Sequence, residues 1–134
     1  LAKEAPRYSQ GFLVYKYPYS GDRTFTLGYQ IQMRNRFTRK FVPGPSPNSY
    51  MTTETMVTPF FKKKTVNNHT VYEMRGLWKV KNDFMGGPFV SYSVFDENTG
   101  NVITVEGFVY APRFDKRNYI RQIEAILQTL ELVR

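Results

Sequence analysis

The sequence lacks cysteine altogether and contains a single histidine, His69. Without thiols the chain cannot form a disulfide, a thiolate nucleophile, an iron–sulfur cluster or a cysteine zinc site. One imidazole cannot build a multi-histidine metal site, and the neighbouring stretch Asn67-Asn68-His69 brings no carboxylate to orient a general base. The sequence therefore predicts that His69 is an exposed turn residue and that the chain holds no metal or other cofactor.

Long apolar runs are also absent. No stretch approaches the roughly 18 residues that a transmembrane helix requires, so no membrane span is predicted. The chain starts at Leu1 without a charged-then-apolar leader, which we interpret as a processed chain or an excised domain. Any signal or lipid anchor would then lie outside these residues. At 134 residues, the length fits one domain that spans 1–134.

Aromatic residues and positive charge are abundant. The ten Tyr and eleven Phe make up most of an aromatic content of 16%, which argues against disorder and favours strands. Nineteen Lys and Arg against eleven Asp and Glu leave a net charge of +8. Such a charge attracts anionic lipid, polysaccharide, nucleic acid or acidic proteins without choosing among them.

Local patterns predict one strand and two helices outside the hairpins. Aromatic and β-branched residues predict a strand at Gly11–Tyr17, which Pro18 ends. Apolar residues three or four apart predict a helix from Leu27 to Phe41, stopped by the proline-rich stretch 43–47. The spacing of apolar residues from Ile120 to Leu130 predicts a terminal helix.

Two hairpins are predicted between the helices. The first pairs 56–65 with 70–81 across Asn67-Asn68, and the second pairs 89–95 with 101–110 across a loop that ends at Gly100. Both faces of 101–110 are apolar, which predicts a central strand. The expected fold is an α+β domain with a mostly antiparallel sheet of about five strands. Its order is β-α-β-β-β-β-α, with the two helices on one face.

Catalytic motifs are missing. There is no Gly-x-Ser-x-Gly elbow, and Gly86-Gly87 precede a strand rather than a helix, so they predict a bend and not a phosphate loop. A hydrolase would have to bring together acids such as Glu54, Asp83 and Glu106. Glu106 lies in an apolar strand where an ionised carboxylate needs a partner. A cross-strand cation such as Arg75 would make it structural, and a functional acid is the alternative.

Two basic runs form a second alternative. One is on the first helix and the other is on a hairpin arm, with Tyr and Phe nearby, so a polyanion surface is conceivable. The spacing matches no helix-turn-helix, zinc finger or RNA-recognition signature, which disfavours nucleic acid. The candidate contacts are Arg34, Arg36, Arg39, Lys40, Lys62, Lys63 and Lys64.

Three stretches together resemble a known family. They are 43–54 with Pro-Gly-Pro-Ser and Ser-Tyr-Met-Thr-Thr-Glu, 76–89 with Gly-Leu-Trp and Asn-Asp-Phe-Met-Gly-Gly-Pro-Phe, and 102–118, which begins Val-Ile-Thr-Val-Glu-Gly-Phe. They are similar to the C-terminal half of a domain-of-unknown-function family of envelope lipoproteins from Bacteroidetes-type bacteria. The resemblance implies an outer-membrane or periplasmic location, an upstream lipid anchor and a preceding half of similar size. It implies no activity and no cofactor.

The sequence thus favours a non-catalytic binding or assembly module over an enzyme. The expected partner is another envelope protein or the missing N-terminal half of the same precursor. Aromatic residues and Gly/Pro loops are the candidate contact surface, since such residues often anchor interfaces. The candidates are Pro43, Gly44, Pro45, Tyr50, Trp78, Phe84, Gly86 and Gly87.

Overall fold

The computed structural model describes residues 9–82 and 85–110. Six strands and one α-helix make up most of this part, and a short 3-10 helix at Asp22–Phe25 precedes the α-helix. Their bounds are β1 Ser9–Pro18, α1 Leu27–Phe41, β2 Tyr50–Glu54, β3 Phe60–Val66, β4 His69–Lys81, β5 Gly86–Asp96 and β6 Asn101–Tyr110.

All six strands join one antiparallel sheet. The order is β1-β6-β5-β4-β2, and β3 pairs with another part of β4. β1 therefore lies at the edge of the sheet, while β6 is flanked by β1 and β5. The prediction of a central strand at 101–110 is confirmed, since the two faces of β6 contribute to different buried clusters.

The predicted two-helix α+β layout is wrong for the part of the chain that the structure describes. This part is 56% strand, with one α-helix and a 3-10 turn against a curled sheet. The terminal helix predicted over Ile120–Leu130 lies outside the described residues. The sequence analysis also missed β2, because its Tyr-Met-Thr-Thr-Glu run is short and has weak apolar alternation.

The helix α1 has the predicted bounds. The side chain of Thr26 caps its start by accepting a hydrogen bond from the Tyr29 amide at 3.4 Å, and Pro43 follows its end. Its most deeply buried line is polar and consists of Gln30, Arg34 and Thr38, spaced four residues apart. The apolar residues of the helix flank this line, so α1 docks on the sheet through a polar seam.

The predicted turns are confirmed. Asn67 and Asn68 have φ values of 50° and 68°, which asparagine tolerates better than most residues do. Gly100 has a φ of 75° in the loop between β5 and β6. Both turns lie at the same end of the sheet, because β4 and β6 start there.

Candidate functional site

A buried ion pair joins α1 to the middle of the sheet. The Nε of Arg34 donates to Oε1 of Glu106 at 2.7 Å, and Nη2 donates to Oε2 at 2.8 Å. Both side chains are fully buried. The paired contacts are the bidentate geometry in which guanidinium binds carboxylate most strongly.

The remaining donors of Arg34 are also engaged. Nη1 donates to Oγ1 of Thr53 at 2.9 Å, and Nη2 lies 3.2 Å from Sδ of Met51. The guanidinium carbon lies 3.9 Å from the centroid of the Phe89 ring, where the ring face attracts a cation. The pair is therefore saturated by neighbours within the fold, with no exposed face for a substrate.

This geometry changes two expectations from the sequence. The partner of Glu106 is Arg34, 72 residues away, and not Arg75, which instead pairs with Glu73. Arg34 was placed among the candidate polyanion contacts, but its burial keeps it away from any polyanion. The signal that could have indicated its burial is its four-residue spacing from Gln30 and Thr38.

A polar network continues from the pair along α1. Nε2 of Gln30 donates to the Tyr17 hydroxyl at 2.7 Å, and Oε1 of Gln30 accepts from the Ser93 hydroxyl at 3.0 Å. Burial raises the pKa of the Tyr15 phenol well above its usual value; the Glu106 carboxylate adds to this rise and Arg34 opposes it. These groups are kept neutral or paired, as a structural network requires.

A second buried carboxylate, Glu73, lies on the opposite face of the sheet, since side chains alternate along β4. It accepts from Nζ of Lys64 at 3.1 Å and also pairs with Arg75. Burial alone would lower the pKa of Lys64, but hydrogen bonds to Glu73 and to the Tyr92 hydroxyl outweigh it and raise the pKa. Lys64 is thus half-buried and held by hydrogen bonds to Glu73 and Tyr92.

The acids expected of a hydrolase do not share one site in the described residues. Glu54 follows Thr53, which faces α1, so Glu54 points to the other face of the sheet from Glu106. It pairs with Lys79 at 3.5 Å, and the hydrogen bond it accepts from the Met56 amide lowers its pKa. Asp83 lies outside the described residues. Within 9–82 and 85–110, no group of three or more His, Asp or Glu side chains could hold a metal.

Four residues of the predicted contact surface line a small apolar cavity. Pro43, Gly44 and Pro45 line it together with Trp78, and its volume is about 110 Å³. Trp78 is only 4% exposed, and its Nε1 donates to the Val109 carbonyl at 3.1 Å. This tryptophan therefore serves as a wall of the core and offers little surface to a partner.

The remaining candidates of that surface have mixed positions. Gly87 is buried so closely against β6 that an added Cβ would lie 1.8 Å from the Val109 carbonyl oxygen. Gly86 is half-buried. Tyr50 is half-buried, with the guanidinium of Arg39 4.9 Å above its ring. Phe84 lies outside the described residues.

The candidate polyanion contacts other than Arg34 and Lys64 are exposed. Arg36, Arg39 and Lys40 follow the outer side of α1, and Lys62 and Lys63 lie on β3. Lys62 and Lys63 point to opposite faces of the sheet because they are adjacent in a strand. The run of three lysines therefore does not form one contiguous basic surface.

An apolar groove that the sequence analysis did not predict lies between β1 and α1. Its volume is about 290 Å³. The outer side of β1 has no strand partner among the described residues, and Val14 is 70% exposed beside it. The groove is lined by Leu13, Val14, Tyr15, Lys16, Phe37 and Phe41. We call the groove together with this outer edge of β1 the edge groove.

Stacked rings form one wall of the edge groove. The Phe37 ring stacks on that of Tyr15 at a centroid distance of 4.6 Å and on that of Phe41 at 6.3 Å. Phe41 is 61% exposed, so the row of rings runs from the core to the surface. The sequence feature that could have indicated this groove is that both faces of β1 are apolar, since Phe12 and Val14 alternate with Leu13 and Tyr15.

Two lysines lie at the edge groove. Lys16 is exposed on β1 and lines the groove, and the exposed Lys40 precedes Phe41 on α1. The Nζ of Lys40 is 5.4 Å from the centroid of the Phe41 ring. The groove thus combines an apolar floor with a positive rim.

Comparison with known proteins gives one match. The family model described as Domain of unknown function (DUF4837) matches residues 1–129. No curated protein and no solved structure matches the chain. Among the described residues, no helix has the length and apolar character needed to cross a bilayer.

Proposed function

The chain belongs to the DUF4837 family of domains of unknown function, and from this premise we propose that it is a non-catalytic binding module of a bacterial cell-envelope lipoprotein. Its task is to hold an extended segment of a partner polypeptide in the edge groove. The observation that carries the proposal is the combination of an apolar groove between β1 and α1 with an edge strand that has no further strand partner within 9–82 and 85–110.

An edge strand presents unpaired backbone N–H and C=O groups that a further strand can bond to. Added strands gain affinity from main-chain hydrogen bonds and specificity from pockets that take alternate side chains. β1 is ten residues long, and its exposed Phe12 and Val14 would otherwise make it prone to aggregation. A bound segment would cover both the backbone edge and these side chains.

The charge around the groove indicates which segment fits. Lys16 lines it, Lys40 lies beside the Phe41 ring, and the whole chain carries a net charge of +8. A segment that alternates apolar residues with Asp or Glu would place apolar groups against Phe37 and Phe41 and carboxylates beside the cations. It would belong to another envelope protein or to the N-terminal half of the same precursor.

The envelope location rests on the three stretches that resemble envelope lipoproteins, and the lipid anchor would belong to the precursor. The non-catalytic role is supported by the ion pairs of Glu106 and Glu73, because each buried carboxylate is held by basic side chains of the fold. Labelling of the precursor with a radioactive fatty acid tests the anchor. Absence of label from a secreted, processed precursor would refute it.

The binding test uses two synthetic peptides, acetyl-EVEFEVEI-amide and its lysine counterpart acetyl-KVKFKVKI-amide. Each is titrated into the isotope-labelled protein and followed by NMR. We expect the acidic peptide to bind more tightly and to shift the amides of β1 and the end of α1. Phe41→Ala removes an exposed ring of the groove and should weaken binding at least about fivefold.

Charge reversal supplies the matched control. Lys40→Glu and Lys62→Glu change the net charge equally, but only Lys40 lies beside the edge groove. Lys40→Glu should lower the affinity for the acidic peptide at least about fivefold, whereas Lys62→Glu should change that affinity by no more than about twofold. Equal losses would indicate diffuse attraction of polyanions and refute the groove. Preference for the lysine peptide, or shifts away from β1, would refute it as well.

The source of the segment is distinguished with the full precursor. If the N-terminal half of the precursor fills the edge groove, the acidic peptide should bind the isolated domain and not the precursor. If another envelope protein fills it, both forms should bind the peptide equally well. Either result is consistent with the groove as the binding site.

A further inference from the structure

A second concave site lies at the end of the sheet where the hairpins turn, and it shares no lining residue with the edge groove proposed above to bind a segment. It is bounded by the turn between β3 and β4, the loop between β5 and β6, and the segment that follows β1. Its volume is about 440 Å³, within the range of small-molecule pockets. We call it the hairpin-end pocket.

Four aromatic rings form the apolar part of the hairpin-end pocket. Phe25 and Tyr72 stack face to face, with centroids 4.0 Å apart and an angle of 7° between the planes. Tyr19 continues the wall, with centroids 4.6 Å from Phe95 and 5.9 Å from Phe25. Tyr19 is 37% exposed, so this ring offers surface to a ligand.

Polar groups of mixed type surround these rings. The side chain of Lys63 can donate hydrogen bonds, that of Glu97 can accept them, and those of Asn68 and His69 can do both. The charges of Lys63 and Glu97 have opposite signs, so the rim favours neither an anion nor a cation. This differs from the edge groove, where Lys16 and Lys40 carry charges of the same sign.

The loop on one side of the pocket is held by its own hydrogen bonds. The carboxylate of Asp96 accepts from the Asn98 amide at 3.1 Å and from the Thr99 hydroxyl at 3.0 Å, and the Asp96 carbonyl accepts from the Gly100 amide at 2.9 Å. Glu97 is carried on this closed loop. A loop ordered before binding lowers the entropic cost of holding a ligand.

We propose that the hairpin-end pocket binds a neutral saccharide. A sugar ring has apolar C–H faces that pack on aromatic rings, and its rim of hydroxyls both donates and accepts hydrogen bonds. The four rings and the mixed donors and acceptors match these two requirements. A purely apolar ligand would make no hydrogen bond to Lys63 or Glu97, and neither an anion nor a cation gains from two rim charges of opposite sign.

Three neutral trisaccharides serve as probes: the trimer of N-acetylglucosamine, cellotriose and maltotriose, each titrated into the isotope-labelled protein. We expect at least one to bind with a dissociation constant of about 1 mM or tighter. The amides of Tyr19, His69 and Glu97 should shift. Tyr19→Ala should weaken binding at least about fivefold by removing a stacking face, and Glu97→Gln should change it less.

Phe41→Ala is the matched control, because it removes an exposed ring from the edge groove and not from this pocket. It should leave saccharide binding unchanged and weaken only the binding of the acidic peptide. Each of the two proposals can therefore be refuted without the other. Lack of binding by all three trisaccharides at their highest soluble concentrations would overturn the proposal. Equal loss in the two ring variants, or tighter binding of adenosine than of any saccharide, would also overturn it.

Discussion

Substitution of Glu106 by glutamine should strongly destabilise the protein. Glutamine keeps the shape of the side chain, but its carbonyl can accept only one of the two hydrogen bonds at 2.7 and 2.8 Å that Arg34 now donates. Its NH₂ group would face a second donor. Because both side chains are fully buried, the guanidinium would lose its counter-charge away from water.

The expected loss is about 3–5 kcal/mol of unfolding free energy, the usual cost of removing one partner from a buried ion pair. That is a large part of the roughly 5–15 kcal/mol by which domains are stable. Trp78 is the only tryptophan and is 4% exposed, so its fluorescence reports unfolding in urea. The midpoint of the urea transition should fall while its slope stays constant.

The double variant Arg34→Met with Glu106→Leu supplies the control. It removes both charges together, and Thr53 keeps the hydrogen bond that its hydroxyl donates to Oδ1 of Asn35 at 2.6 Å. An apolar pair of similar size is often as stable as the ion pair it replaces, so the double variant should recover most of the loss. A loss below about 1 kcal/mol in Glu106→Gln, or a double variant less stable than the single one, would refute the reasoning.

Two further predictions concern burial. Burial raises the pKa of Tyr15 in the folded protein. As the pH rises above about 10, the Tyr15 phenol therefore ionises in the unfolded chain before it ionises in the folded one. The free energy of unfolding that this residue contributes below that pH is then lost. Tyr15→Phe should therefore lose less stability between about pH 8 and pH 11 in urea titrations than the parent; an equal loss would contradict this. Gly87→Ala, whose Cβ would meet the Val109 carbonyl oxygen, should cost about 3 kcal/mol, whereas Gly28→Ala, with open space around it, should be neutral or stabilising by up to about 1 kcal/mol. Thermal melts compare the two, and similar shifts would disprove the steric argument.

Local signals in the sequence predicted local structure well. The α1 bounds follow from the Thr26 cap and from Pro43, and the turn at Asn67-Asn68 follows from residues that tolerate positive φ. Both features are decided by neighbours within a few residues. The predicted strand at 101–110 also matched β6 because its two apolar faces reflect burial on both sides.

Long-range pairing was the part that the sequence could not reveal. Arg34 was grouped with exposed cations because nothing near it in sequence carries a negative charge, and its partner Glu106 comes 72 residues later. The edge groove depends on the sheet order, which places β1 beside β6 and, among the described residues, gives its other side no strand partner. The hairpin-end pocket likewise collects residues from three separate segments that only the fold brings together.

The pairing of β1 with β6 also bears on how the chain is made. Ser9 pairs with Tyr110, so a ribosome finishes the first strand long before it starts the last. β4 and β5 are close in sequence and can form their hairpin early, whereas β1 and α1 must wait until Glu106 is synthesised. During that interval both sides of β1 are open and Arg34 lacks its carboxylate. A nascent chain would therefore need protection at this strand, and a chaperone that holds extended apolar segments would be expected to bind it first.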